Sequence, residues 1–150
     1  MPLPLFVPPG VGEVIKIRDT KETTIKLSSA DTNGEFAFLE HRMAPYASGA
    51  ALHIHKKSRE AIYVVHGEIE FIVGDAKETG GAGSLLHIPP FAPHGFTNAS
   101  DKEALLLFML YPVNNRDDYM RGLGELTKDG RNPTREELAA HMERYDQFLL

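Results

Sequence analysis

Apolar and polar positions alternate with a period of two through most of the first 113 residues. Glu13-Val14-Ile15-Lys16-Ile17 and Thr24-Ile25-Lys26-Leu27 carry the alternation plainly. Successive side chains on a strand point to opposite faces, so each segment reads as a strand with one face turned to a core. Further strand candidates are Glu35 to Met43, Ile62 to Val65, Glu68 to Val73, Ser84 to Ile88 and Ala104 to Tyr111. Asn33-Gly34, Gly67, Gly74-Asp75 and Gly80-Gly81 fall between them as turns. Short strands at this spacing predict an all-β sandwich or barrel.

Ala104-Leu-Leu-Leu-Phe-Met-Leu-Tyr111 has no polar face. Such a strand needs cover on both sides. The barrel interior is one cover, and the C-terminal segment or a second subunit is the other, the segment being preferred. From Asn114 the pattern turns helical. Thr134 followed by Glu137 forms a capping-box signature, and Leu138, Met142, Tyr145 and Leu149 recur at helical spacing. Asn115 to Leu126 predicts another helix, weakened by Gly122 and Gly124, which also stand as candidate hinges of a lid over Asn114 to Leu126. The expected organisation is a barrel with its N-terminal strands over 1–113 and a helical tail over 114–150 packed on it within the same domain.

Composition narrows the partners. The net charge of -5, with no stripe of Lys or Arg, argues against nucleic acid. The absence of cysteine removes disulfides and thiolate metal sites. Proline breaks the first residues, which lack a basic leader, and the longest apolar run is far too short to span a bilayer. A cytoplasmic protein without membrane contact is the expectation, and exposed strand edges favour a homodimer.

The chemistry gathers around Leu52 to Gly67, LHIHKKSREAIYVVHG. His53 and His55 stand two apart, so a strand presents both imidazoles on one face, as a chelating pair requires. Glu60 opens the next apolar run, where a neighbouring strand brings its carboxylate round. Nitrogen and oxygen donors of this kind suit a divalent cation such as Fe, Ni, Mn, Co, Cu or Zn. A surface pair of histidines in a polar loop is the competing reading, supported by Lys56-Lys57-Ser58-Arg59. A second segment, from Gly83 to Asn98, ends a strand in proline-rich loops and presents His94 before another apolar piece.

His53-x-His55-x4-Glu60-x6-Gly67 resembles the first motif of the cupin superfamily, and Gly83-x5-Pro89-x4-His94-x3-Asn98 resembles the second. Ala47 stands where the first motif opens with glycine, and Phe91 replaces a glycine of the second. The resemblance implies a double-stranded β-helix, the small cupin jelly-roll barrel, holding one divalent transition metal per subunit on His53, His55, Glu60 and His94. Among the other histidines, His66 reads as exposed beside Gly67. His87 is a contender for hydrogen bonding to a metal ligand, and His41 and His141 are expected to face solvent or a subunit contact.

Tyr63 is a candidate hydrogen-bond donor to a substrate, and motif parity places Phe71, Phe91, Phe96 and Met109 around such a site as substrate-binding walls. They are aromatic and apolar, which suits a small enolic or aromatic molecule better than a sugar phosphate. The second half is similar to small bacterial cupins of the quercetin-dioxygenase-like type. That resemblance implies a dioxygenase acting on a flavonol- or diketone-like substrate with O2, with Glu60 as the catalytic proton acceptor. A non-redox isomerase, lyase or cyclase and a ligand-binding cupin without turnover are the alternatives.

Overall fold

A computed structural model describes residues 3–150. The chain runs through β1 (Glu13–Ile17), β2 (Lys21–Leu27), β3 (Ala37–Met43), β4 (His53–Ile54), β5 (Arg59–His66) and β6 (Glu68–Val73). It continues through β7 (Ala76–Gly81), β8 (Leu85–Ile88), β9 (His94–Thr97) and β10 (Ala104–Tyr111). Two helices, α1 (Arg116–Leu126) and α2 (Arg135–Glu143), precede a last strand, β11 (Phe148–Leu149). The strands form two antiparallel sheets, ordered β1-β2-β3-β10-β5-β8 and β11-β4-β9-β6-β7, and together make a jelly-roll barrel.

The alternation read from sequence sets which side chains fill it. Ala104, Leu106, Phe108 and Leu110 of β10 are buried, while Leu105, Leu107 and Met109 between them are half-buried on the other face. Phe108 lies opposite Leu39 of β3 and Ile62 of β5. Ile69 and Phe71 enter the same core from β6. Each such side chain contributes roughly 1.5–3 kcal/mol on burial. Gly67 joins β5 to β6 at φ 80, and a Cβ there would stand 2.6 Å from the Glu103 carbonyl oxygen. Only glycine lets this hairpin pass the start of β10.

Four strands lie outside the predicted set, three in the barrel and β11 in the tail. β7 is Ala-Lys-Glu-Thr-Gly-Gly, exposed except at Gly80, and pairs with β6 at the sheet edge. An edge strand with no buried stripe has no alternation to read, so Gly80-Gly81 belongs to a strand rather than a turn. β4 and β9 are short and hold ligand-type side chains where apolar ones would signal a strand.

The tail departs further from expectation. The capping box of α2 forms as read, with Glu137 N–H donating to Thr134 Oγ1 at 3.2 Å and Thr134 N–H to Glu137 Oε2 at 2.9 Å. The helix then ends at Glu143, before Tyr145 and Leu149. The chain turns at Asp146, φ 61, and Phe148–Leu149 pairs with β4 instead. Gly122 and Gly124 sit inside α1 and serve close packing rather than hinge motion. A Cβ on Gly122 would lie 2.2 Å from the His141 ring, and one on Gly124 would lie 2.7 Å from Ile15 Cγ2. His141 is consequently buried, stacked on Tyr119, with Nε2–H donating to the Tyr119 carbonyl at 2.8 Å. No helix among the described residues is long and apolar enough to cross a membrane.

Candidate metal centre

The site is assembled at the register between β4 and β9, where His53 pairs directly with His94. His55 follows two residues after His53, and Glu60 projects from β5 on the face shared with Ile62 and Val64. All four side chains are buried, and one ligand atom from each lies within 4.8 Å of the others. Glu60 Oε2 stands 3.1 Å from His94 Nε2 and 3.3 Å from His55 Nε2.

The outward nitrogens decide what the inward ones can do. His53 Nδ1 meets the Ala51 carbonyl at 2.7 Å, His55 Nδ1 the Asp146 carbonyl at 2.6 Å, and His94 Nδ1 the Ala92 carbonyl at 2.9 Å. A carbonyl oxygen only accepts, so each Nδ1 carries a proton and leaves Nε2 as the nitrogen that faces into the cluster. Nε2 of His55 and of His94 share one Glu60 oxygen, and a cation can stand where protons would otherwise lie between them. The donor set therefore fits a borderline divalent metal, which His53, His55, Glu60 and His94 would hold. Burial pushes the His53 imidazole down to about 3, with the neighbouring His94 acting in the same direction. Burial works to raise the Glu60 carboxyl, but hydrogen bonds and charge from His55 and His94 outweigh it and hold Glu60 well below the usual carboxylate range.

The tail completes the site. Asp146 receives the backbone N–H groups of Lys56, Lys57 and Ser58 on its carboxylate at 2.8–3.2 Å, while its carbonyl fixes the His55 tautomer. The loop that reads as a polar surface segment is thus clamped from ninety residues away. Arg116, Tyr119, Met120 and Leu123 of α1 line a cavity of about 70 Å³ together with His53, His55 and Glu60. The tail therefore lies over the barrel mouth, not over the outer face of β10 where a cover was expected.

The expected substrate-binding residues separate into two groups. Phe96 is buried and lines the cavity, edge-on to Phe108. Phe71 is buried in the core beside Gly80 and does not line it. Tyr63, 42% exposed, alternates with the inward-facing Ile62 and Val64 and so points out of the barrel. Met109 likewise alternates with Phe108 and faces away. Phe91, 62% exposed, occupies a left-handed loop position at φ 67. His66 is exposed as read. His87 is also exposed and meets the Tyr111 hydroxyl at 3.1 Å, leaving the metal ligands to backbone carbonyls.

Position reverses the expectation for His41. It is only 4% exposed, stacks on Phe108, meets Thr23 Oγ1 at 2.8 Å through Nδ1, and lines the cavity. Burial pulls its imidazole down to about 3, reinforced by Lys21. Its place on β3, whose alternation puts Leu39, His41 and Met43 on one face, is the signal that would have found it. Arg116, Gln147 and Asp146 give no such signal, because they lie in irregular or helix-terminal positions whose side-chain direction no periodicity sets.

Residues 39–110 match the family described as the cupin domain. Protein SchB of Streptomyces halstedii is 38% identical over 66 residues, 44% of this chain and 48% of SchB, so the match spans about half that relative's length. Among solved structures, KdgF from Halomonas sp. superposes with a TM-score of 0.67 at 16% identity, covering 77% of this chain and 99% of that one. The polyketide cyclase RemF from Streptomyces resistomycificus superposes with a TM-score of 0.62 at 19% identity, covering 73% and 80%.

Proposed function

Because residues 39–110 match the cupin domain, we propose that this chain is a cupin and a metal-dependent enzyme acting on a small enolic compound at His53, His55, Glu60 and His94. The convergence of three Nδ1-tethered imidazoles and a carboxylate on one point carries this reading. A divalent metal there supplies Lewis-acid polarisation of a substrate oxygen and, where it is redox-active, electrons for dioxygen chemistry.

The chain's own residues do the rest. His53, His55 and His94 keep their Nε2 atoms directed inward by the three carbonyl bonds. Glu60, ionised throughout the neutral range, is placed to take the proton of an enol brought within hydrogen-bond reach of its free oxygen. Phe96 and Phe108 exclude water and bound the substrate's apolar part. The cavity of about 70 Å³ favours a compact enol over a polycyclic flavonol.

Dioxygenation is the first reaction assigned to this site. A non-redox cyclase or isomerase is the second, supported by the cyclase named among the similar structures. Elemental analysis of protein purified without chelator or nickel resin separates them: iron, nickel, manganese, cobalt or copper accords with the first, and zinc with the second. The protein loaded with each redox metal is then screened against β-diketones and flavonols in an oxygen electrode. Metal-dependent O2 uptake with an enolic substrate supports the dioxygenase, and none across the panel overturns it.

A further inference from the structure

Arg116 opens α1 and is 2% exposed, with its side chain lining the cavity that His53, His55 and Glu60 share. A buried guanidinium is costly unless its donors are met, and it carries five N–H groups in a fixed fork. Nη1 donates to Gln147 Oε1 at 2.7 Å, and the guanidinium carbon lies 4.4 Å from the Tyr119 ring centroid. Nη2 stands 3.3 Å from His55 Nδ1. That nitrogen already carries the proton donated to the Asp146 carbonyl, so two N–H donors face each other and no hydrogen bond forms between them. Among the described residues, Arg116 Nε is the buried side-chain nitrogen or oxygen atom without a hydrogen-bond partner.

The two donors left over, Nε and Nη2, form one side of the guanidinium fork, the side that receives both oxygens of a carboxylate. The charges around them call for the same ligand. Lys21 also lines the cavity, and Glu60 is the one carboxylate among its lining residues. A divalent metal on the four ligands would leave the positive charge in marked excess. Asp146 offers no relief, because its carboxylate is committed to three backbone N–H groups.

Building on the metal-dependent reading above, we propose that Arg116 is the anion anchor of this cavity and that the substrate is a small keto- or enol-carboxylate. Its carboxylate lies on Nε and Nη2 of Arg116, and its keto or enol oxygen turns toward His53, His55, Glu60 and His94. Lys21 adds long-range attraction, and Gln147 holds the fork in place through Nη1. Specificity for a compact acid then comes from the tail rather than from the barrel.

Acetoacetate and 2,4-pentanedione, similar in size and both enolisable, differ in the carboxylate and serve as probes in calorimetric titrations of the zinc-loaded protein. The wild type is expected to bind acetoacetate at least about tenfold tighter. Arg116→Gln is expected to take up one zinc per chain yet bind both probes alike, with Arg116→Lys between the two. A purely structural role for Arg116 would lower stability without moving this ratio. Equal affinities in the wild type, or a preference that survives Arg116→Gln, overturn the proposal. Should Arg116→Gln not fold, the wild-type ratio decides alone. A wild type that takes up no zinc refutes the metal reading instead, and acetoacetate binding to the metal-free protein, kept or absent, then decides the anchor separately.

Discussion

The barrel and the tail meet at His55, and they contribute in different ways. On the barrel side, His53, His55, Glu60 and His94 are set by strand register: on β4 and just past its end, directly opposite on β9, and in phase with Ile62 and Val64 on β5. On the tail side, Asp146, Arg116 and Gln147 each act from a turn or a helix end. The barrel supplies donor atoms by repetition, and the tail supplies the hydrogen bonds and charge that surround them. A ligand set read from motif spacing is therefore half a site. The His55 tautomer, the HxH loop conformation and the Arg116 guanidinium of the cavity all come from beyond residue 113.

The largest effect separates the two regions outright. His94→Ala removes a donor with no substitute nearby, and zinc affinity is expected to fall by more than about a hundredfold, beyond what loss of an outer partner costs. Competition with a chromophoric chelator measures it. Next comes the tail's hold on the same site. Asp146→Ala strands three backbone N–H groups, which should cost about 3 kcal/mol in denaturant unfolding. It should also weaken zinc about tenfold through the loosened His55 loop. If stability drops with zinc affinity intact, barrel and tail are energetically separate.

A third prediction concerns acid. The His41 imidazole has a native value of about 3 against an ordinary 6.5, so between these limits the unfolded chain binds a proton that the folded chain refuses. Its contribution is complete above pH 6.5 and is lost as pH falls toward 3. Between pH 7 and 4.5 the metal-free wild type should lose about 2 kcal/mol more than His41→Gln, by urea titration at both values. The smallest effect belongs to the outer face of the barrel. Tyr63→Ala should change stability by less than about 1 kcal/mol and leave zinc affinity unaltered. A measurable loss of zinc would return Tyr63 to the site from which its strand parity removes it.

Legibility in the sequence follows the same divide. β1, β3, β6 and β10 bury one face against a core, and their alternation shows it. The four ligands lie in motif segments whose spacing reflects register. β7 buries almost nothing and leaves no pattern, and β11 exists because β4 offers it an edge. His41 was visible in principle, since it keeps phase with Leu39 and Met43, but a polar residue in an apolar phase reads as an interruption. Met109 was misplaced through parity, being out of phase with Phe108, and Tyr63, out of phase with Ile62, carries its hydroxyl away from the site. Asp146 reaches Lys56 across ninety positions, and no local rule encodes that contact.

Crystals of the protein grown with zinc or cobalt, measured at the metal's absorption edge, give the most direct test. One anomalous peak per chain is expected, about 2.0–2.2 Å from Nε2 of His53, His55 and His94 and from a Glu60 oxygen, with each Nδ1 still on its carbonyl. A peak elsewhere, no peak at full loading, or an imidazole of the four-residue set turned away from the other donors would contradict the account.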